Sequence, residues 1–311
     1  MLPPSAVRTI CYGLMSPEQI VFFQRELEID FAISEPGLGR FRVNIFYQRG
    51  YPAMVLRYIT ADMPRLDGLG LPEILTDLAM AKRGLVLMVG STGSGKSTTL
   101  AAMINHRNEA ASDHVVTIED PIEFLHSNKR SIINQREVGL DTKSFARALR
   151  GAVRAAPDVI LIGEIRDRET MESAITLAGT GHLCIATLHA NNCAETLDRI
   201  INMFPRDQHN QIFLDLSQYL RAILSQRLVP AKSGVRVAAC EVMVNTPHIS
   251  ELIKVGDVVR VKEAIRTGTE RGMLSFDSSL YNLVREGRIE LEDALMAADS
   301  RTNLEAKINF G

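Results

Sequence analysis

Gly84-Leu-Val-Leu-Met-Val-Gly90-Ser91-Thr92-Gly93-Ser94-Gly95-Lys96-Ser97-Thr98-Thr99 is the stretch that decides how the rest of the chain is read. Residues 85–89 form an uninterrupted apolar run of strand length, the pattern of a parallel strand buried on both faces. Gly90-x4-Gly95-Lys96-Ser97 follows with the Walker A spacing. The next residues, 98–105, contain no Gly or Pro and read as a helix. Glycines at 93 and 95 let the backbone curl so that its N–H groups face phosphate oxygens. A helix N-terminus adds partial positive charge at the same place. In such a loop Lys96 reaches the β- and γ-phosphates, and the Ser97 hydroxyl ligates Mg²⁺. Gly90, Ser91, Thr92, Gly93, Ser94, Gly95, Lys96, Ser97 and Thr98 are therefore the expected phosphate-binding residues. The alternative is a Gly/Ser-rich turn that matches by chance, and the strand before and helix after argue against it.

The chain has 311 residues, room for about two domains. A hydrophobic fraction of 46% suffices for packed cores, and a formal net charge of -2 gives no global pull toward nucleic acid or anionic lipid. No nucleic-acid partner is expected. No apolar run is long enough to span a membrane, and the N-terminus lacks a signal-peptide layout, so the expectation is a soluble, cytoplasmic protein. Cys11, Cys184, Cys193 and Cys240 show no C-x-x-C spacing and read as reduced, mostly buried thiols.

Residues 1–60 read as a small α+β module. Ser16-Pro17-Glu18 is a helix start, with Ser at the N-cap and Pro at the first helical position. Strand-like runs follow at 30–34, 40–47 and 53–59, with turns around Gly37-Leu-Gly39 and Arg49-Gly50-Tyr-Pro52. Residues 61–71 carry Pro and Gly without periodicity and read as a linker; a helix over 72–82 then leads into the Walker A strand. From 84 to about 230 strands alternate with helices. Strands are expected at 85–89, 115–118, 159–162 and 184–188, and helices at 96–108, 142–155, 167–180 and 194–202. Such alternation argues for a parallel sheet flanked by helices. A strand over 235–244 closes this domain, expected to span 72–245. Residues 246–311 read as a helical subdomain on or beside it, with helices over 247–255, 257–267, 275–286 and 291–298.

Further constellations sit where an α/β sheet presents its ligands, beyond the carboxyl ends of strands. Thr117-Ile-Glu119-Asp120-Pro-Ile-Glu123 ends one strand in carboxylates that can hold Mg²⁺ through water or orient an attacking water. Val159-Ile-Leu-Ile-Gly163-Glu164-Ile-Arg166-Asp167 is an apolar strand ending in an acid, which resembles a Walker B element; Glu164 falls on the γ-phosphate side. Asp158 lies at that strand's other end and reads as structural. Arg166 and Asp167 stand equally between a helix-start ion pair and a functional role. His189 follows the next strand on the ligand side, where it can meet phosphate or a catalytic carboxylate. His182 precedes that strand and reads as structural. Arg40, Arg42 and Arg57 could neutralise phosphate charge from another domain or subunit, but spacing alone favours exposed strand faces.

Read as an ordered set, 90–97, 117–123, 157–167 and 181–189 resemble the Walker A, Asp box, Walker B and His box of the secretion and type IV pilus ATPase superfamily. Asn134-Gln-Arg-Glu-Val-Gly139 and Gly39-Arg-Phe-Arg-Val-Asn44 are similar to its retraction branch, the PilT/PilU family. Asn44-Ile-Phe-Tyr-Gln-Arg-Gly50, the run from Gly181 to Asn192, and Asp293-Ala-Leu-Met-Ala-Ala-Asp-Ser300 look PilU-like. His248-Ile-Ser-Glu-Leu-Ile253 stands where PilT carries Ala-Ile-Arg-Asn-Leu-Ile, which weighs against independent, PilT-like retraction.

The resemblance implies an α/β fold: a RecA-like P-loop NTPase domain, preceded by a PAS-like α+β domain short of its opening strands, and followed by a helical region. It implies a homohexameric motor that hydrolyses ATP with Mg²⁺ to retract type IV pili in twitching motility. It also implies a PilT-like ATPase and an inner-membrane pilus platform protein as partners, at the cytoplasmic face of the inner membrane. Glu164 matches the catalytic Walker B glutamate, and Glu119 supports the metal, through water, or the attacking water. Arg42 and Arg57 match arginines that reach the nucleotide from the N-terminal domain, reversing the reading from spacing. A pilus assembly or type II secretion ATPase, or a nucleotide-binding adaptor with little ATPase activity, are the alternatives. The first often carries a four-cysteine zinc insertion, which this chain does not contain.

Overall fold

A computed structural model describes residues 2–59, 62–268 and 272–310. The chain divides into two compact units, one of residues 1–63 with 123–125, the other of 64–122 with 126–311.

In the first unit, α1 (Pro4–Gly13) and α2 (Pro17–Glu26) precede an antiparallel sheet of β1 (Glu28–Glu35), β2 (Gly39–Gln48) and β3 (Tyr51–Ile59), in that order. The start of α2 is written in its sequence. Ser16 Oγ accepts from the Gln19 N–H, while the Gln19 side chain accepts from the Ser16 N–H at 2.8 Å, a reciprocal capping box with Pro17 just inside it. Helix α1 is not foreseen from sequence, because it starts without a side-chain cap. Phe23 of α2 is fully buried among Cys11, Val43 and Ile45, and its ring stacks on Tyr47 with centroids 4.8 Å apart. Arg42 and Arg57 are direct cross-strand partners in β2 and β3 and so share one face of the sheet.

The second unit opens with residues that sequence alone reads as linker. Leu66 and Leu71, around a 3₁₀ turn at Leu66–Gly68, pack into a core with Leu75 and Leu78 of α3 (Ile74–Ala79), so residues 64–71 are part of this unit. Its strands are β4 (Gly84–Val89), β5 (His114–Glu119), β6 (Ile132–Glu137), β7 (Val159–Ile162), β8 (Leu183–Leu188), β9 (Leu220–Pro230) and β10 (Arg236–Val244). They form one sheet in the order β10-β9-β4-β8-β7-β5-β6, parallel throughout except for β10 against β9.

Every residue of β4, β7 and β8 is buried, as unbroken apolar runs require in a sheet covered on both faces. Side chains alternate between two layers. Leu85, Leu87 and Val89 join one core; Val86 and Met88 join the other, with α3 and α4 (Lys96–Ala110). The first layer is covered by α5 (Phe145–Ala152), α6 (Arg168–Gly179), α7 (Cys193–Asn202) and α8 (His209–Tyr219). It also takes Ile249, Leu252 and Ile253 of α9 (Pro247–Lys254) and Val261 and Ile265 of α10 (Val258–Thr267). The last helices, α11 (Phe276–Arg285), α12 (Leu291–Ala297) and α13 (Arg301–Phe310), gather Phe276, Leu280, Ala294 and Leu304 into a smaller core against Val229 of β9 and Ala239 of β10. The helices after 246 thus split between two cores of one compact unit. Residues 269–271, between two of the expected helices, lie outside the described residues. All four cysteines are buried, and burial pushes Cys184 and Cys240 up to about 12.

Glu241 of β10 is a buried carboxylate that accepts the Cys193 N–H at 2.6 Å. Desolvation raises its pKa, against the opposing pull of the Cys193 bonds and Arg227, while Asp299 adds to the rise. The folded chain therefore holds a proton that the unfolded chain has already lost, and stability falls as pH rises from the ordinary carboxylate range through the raised value. Glu241→Gln keeps the acceptor and removes that slope. Its urea midpoint is expected to exceed wild type near neutral pH, with the gap closing toward about pH 4.

Candidate nucleotide site

The carboxyl end of β4 leads at once into the glycine loop. Gly90 and Gly95 have φ of 144° and 88°, and Gly95 is the N-cap of α4. Neither position has room for a side chain. A Cβ on Gly90 would lie 2.5 Å from the Gln226 carbonyl oxygen, and one on Gly95 would lie 2.7 Å from Gln226 Nε2. Lys96 folds back over the loop, its Nζ donating to the Gly90 and Ser91 carbonyls at 2.8 and 2.9 Å. With Ser97 and Thr98 in the first turn of α4, the loop presents an ammonium, hydroxyls and a helix N-terminus together.

Sheet order brings the other candidates alongside. β8 is hydrogen-bonded next to β4, β7 next to β8, and β5 next to β7. Since neighbouring parallel strands lie about 4.8 Å apart, His189 after β8, Glu164 after β7 and Glu119 at the end of β5 form a row beside the loop. The turn after β7 is braced from both sides. Gly163 donates its N–H to Ile118 O at 2.7 Å, the Thr187 hydroxyl donates to Gly163 O, and Ile165 donates to Thr187 O at 2.9 Å. A Cβ on Gly163 would come within 3.1 Å of the Glu119 backbone.

Glu164 sits inside a charged cluster. His189 Nε2 lies 3.0 Å from its Oε1, and Arg166 Nε donates to its Oε2 at 2.7 Å. Arg166 also reaches Asp120 Oδ2 at 3.3 Å. The bond to Glu164, helped by the charges of Glu164 and Asp120, holds the guanidinium firmly protonated. Arg166 therefore pairs with Glu164 and Asp120 and not with Asp167, which instead caps α6 by accepting the Thr170 N–H at 2.8 Å. Glu119 accepts from Thr117 Oγ1 at 2.6 Å and from Gln135 Nε2 at 3.1 Å. His182 lies against Leu177 O at the end of α6, and Asp158 accepts the His114 N–H; both tie elements together at the far ends of strands. Glu123 belongs to the first unit, as do Arg42 and Arg57.

Two residues of β9 escape sequence reasoning. Gln226 Nε2 donates to Ser94 O, and its Oε1 accepts from Thr99 Oγ1, both at 2.8 Å. Arg227 donates to Asn191 O, Ala297 O and Asp299, joining the segment after His189 to the last helices. No spacing rule flags a lone Gln-Arg pair in a strand.

A family model described as "Type II/IV secretion system protein" matches residues 32–296. The type IV pilus ATPase PilU of Pseudomonas aeruginosa is 51% identical over 311 residues, 100% of this chain and 81% of that protein. PilT from the same organism, a type IV pilus retraction ATPase, is 44% identical over 94% of this chain and 86% of its own length. The chain belongs to the PilT/PilU family of type IV pilus retraction ATPases. A crystal structure of the pilus retraction motor PilT with bound ADP superposes with a TM-score of 0.90 at 44% identity, covering 96% of this chain and 85% of that one. Among the described residues no helix is long and apolar enough to cross a membrane.

Arg166→Ala would release Glu164 and Asp120 from their shared cation. A shift of even about 1 Å in a group near the reacting atoms can cost roughly 100-fold, so kcat for ATP is expected to drop by about 10- to 100-fold. Steady-state ATPase kinetics would check this, with KM expected to stay within about two-fold of wild type.

Proposed function

We propose that this chain is a PilU-type accessory motor of type IV pilus retraction, working as a homohexamer at the cytoplasmic face of the inner membrane. Its partners in this reading are a PilT-like retraction ATPase and the inner-membrane platform protein. The observation that carries the enzymatic part is the hydrogen-bonded row of β4, β8, β7 and β5, which sets the P-loop, His189, Glu164 and Glu119 along one edge of the sheet.

Gly90 to Thr98 cradle the triphosphate through backbone N–H groups, and Lys96 leaves the Gly90 and Ser91 carbonyls for the β- and γ-phosphates. Glu164 accepts a hydrogen bond from the attacking water, with His189 and Arg166 fixing its two oxygens. Glu119, held by Thr117 and Gln135, supports the water or the metal. The donor set of Ser97 hydroxyl and Glu119 carboxylate is all hard oxygen and sparse, which fits Mg²⁺. Among the described residues no group of three or more His, Cys, Asp or Glu is placed to hold a metal ion. When bound, Mg²⁺ supplies charge neutralisation on the phosphates.

The first unit is the PAS-like domain in this reading. Arg42 and Arg57, facing each other across β2 and β3, are the arginines that would neutralise phosphate charge in this reading. Domain motion coupled to hydrolysis is then the mechanical output.

Lys96→Ala is expected to abolish nucleotide binding. Glu164→Ala is expected to retain binding while losing at least about 100-fold in turnover, as for removal of a water-positioning group. Phosphate release and fluorescent-nucleotide titration separate the two effects, and an inert wild type would sink the motor reading. Retraction measured in cells lacking this chain, the PilT-like ATPase or both tests the accessory role: loss of this chain alone should weaken force and leave slow retraction.

A further inference from the structure

We propose that Gln226 is a positioning residue for ATP, an internal strut that holds the P-loop in its phosphate-ready curl. The inference rests on the reading of residues 90–98 as the nucleotide site.

A loop whose N–H groups turn toward phosphate must turn carbonyls the other way, into the protein. Ser94 is 3% exposed, so its carbonyl needs a donor from within. Gln226, itself 3% exposed, supplies it through Nε2 at 2.8 Å. The amide is fixed in that sense because the Ser94 carbonyl can only accept, which leaves the amide oxygen to the hydroxyl of Thr99, 1% exposed, donating at 2.8 Å. Strand register places the residue: Ser225 pairs with Val89, so Gln226 stands level with the start of the loop. The Walker A glycines fit around it. A Cβ at Gly90 would strike the Gln226 carbonyl and Ser94 Oγ, and a Cβ at Gly95 would strike Gln226 Nε2. The bare backbone at these two positions is therefore required by the strut behind the loop as well as by the phosphate in front. One side chain grips the loop at Ser94 and the first turns of α4 at Thr99, which sets the angle between them.

Gln226 touches no reacting atom, so its effect falls on nucleotide binding. The test compares wild type with Gln226→Ala, Gln226→Glu, Thr99→Val and Lys96→Ala, by ATPase kinetics, fluorescent-ATP titration and thermal melting. Gln226→Ala is expected to raise KM and Kd for ATP by roughly ten-fold with kcat within about three-fold. Gln226→Glu, which sets an acceptor against the Ser94 carbonyl, should be at least as damaging at an unchanged side-chain volume. Thr99→Val should shift Kd in the same direction by a smaller factor, and the Gln226→Ala/Thr99→Val double variant should be no weaker than Gln226→Ala alone, as shared partners require. Unchanged Kd in both Gln226 variants, or melting and kcat falling together while Kd stays put, would overturn the proposal. If Gln226→Ala does not fold, Thr99→Val decides: an unshifted Kd counts against the strut. Lys96→Ala separates the two layers. Should it bind ATP like wild type, the P-loop reading itself fails; should it lose binding while the Gln226 variants keep it, only the strut fails.

Discussion

Lateral hydrogen bonding between β4, β8, β7 and β5 is the constraint on which this molecule depends. The four strands are far apart in sequence, and each ends in a different kind of polar segment. Parallel pairing forces all four carboxyl ends to one edge, so a lysine loop, a histidine and two carboxylates far apart in sequence are brought together. The pairing is robust because the strands are apolar on both sides and covered on both faces. A polar substitution in β7 or β8 would disturb the site through the register of the row long before it touched a functional side chain.

Within that row the charges are arranged to restrain Glu164 at both of its oxygens. His189 holds one and Arg166 the other, and Arg166 is itself steadied by Asp120. A carboxylate restrained at both oxygens has few rotamers left. The second unit also connects this row to its periphery. Neighbouring residues of β9 face opposite duties, Gln226 toward the P-loop and Arg227 toward Asn191 and the last helices.

Much of the fold is legible in the sequence because the central strands are unbroken apolar runs and many helices carry their own caps, as at Ser16, Asn192 and Thr246. Legibility fails where local signals are missing. Helix α8 passes into β9 at Tyr219–Leu220 with no glycine or proline between them, and β9 interrupts its apolar pattern with Ser225-Gln226-Arg227. β6 is a polar edge strand, Asn134-Gln-Arg-Glu137, whose composition looks like loop. The helix expected over 72–82 is only Ile74–Ala79, and that over 142–155 begins at Phe145 because Ser144 caps it. Of the candidate site, the P-loop, Glu119, Glu164 and His189 are readable from strand ends. The partner of Arg166 is not, since Asp120 lies 46 residues away and only the sheet brings it near.

The burial of all four thiols has a practical consequence for watching such a motor work. Thiolates, not thiols, react with maleimides; burial raises all four thiols, Cys184 and Cys240 to about 12, and sealed from solvent they stay inert at neutral pH. A cysteine introduced on the surface of either compact unit would then be the sole reactive handle, with no need to strip the native ones from the cores. Dyes attached to such cysteines could report on each unit while the native cores stay unmodified.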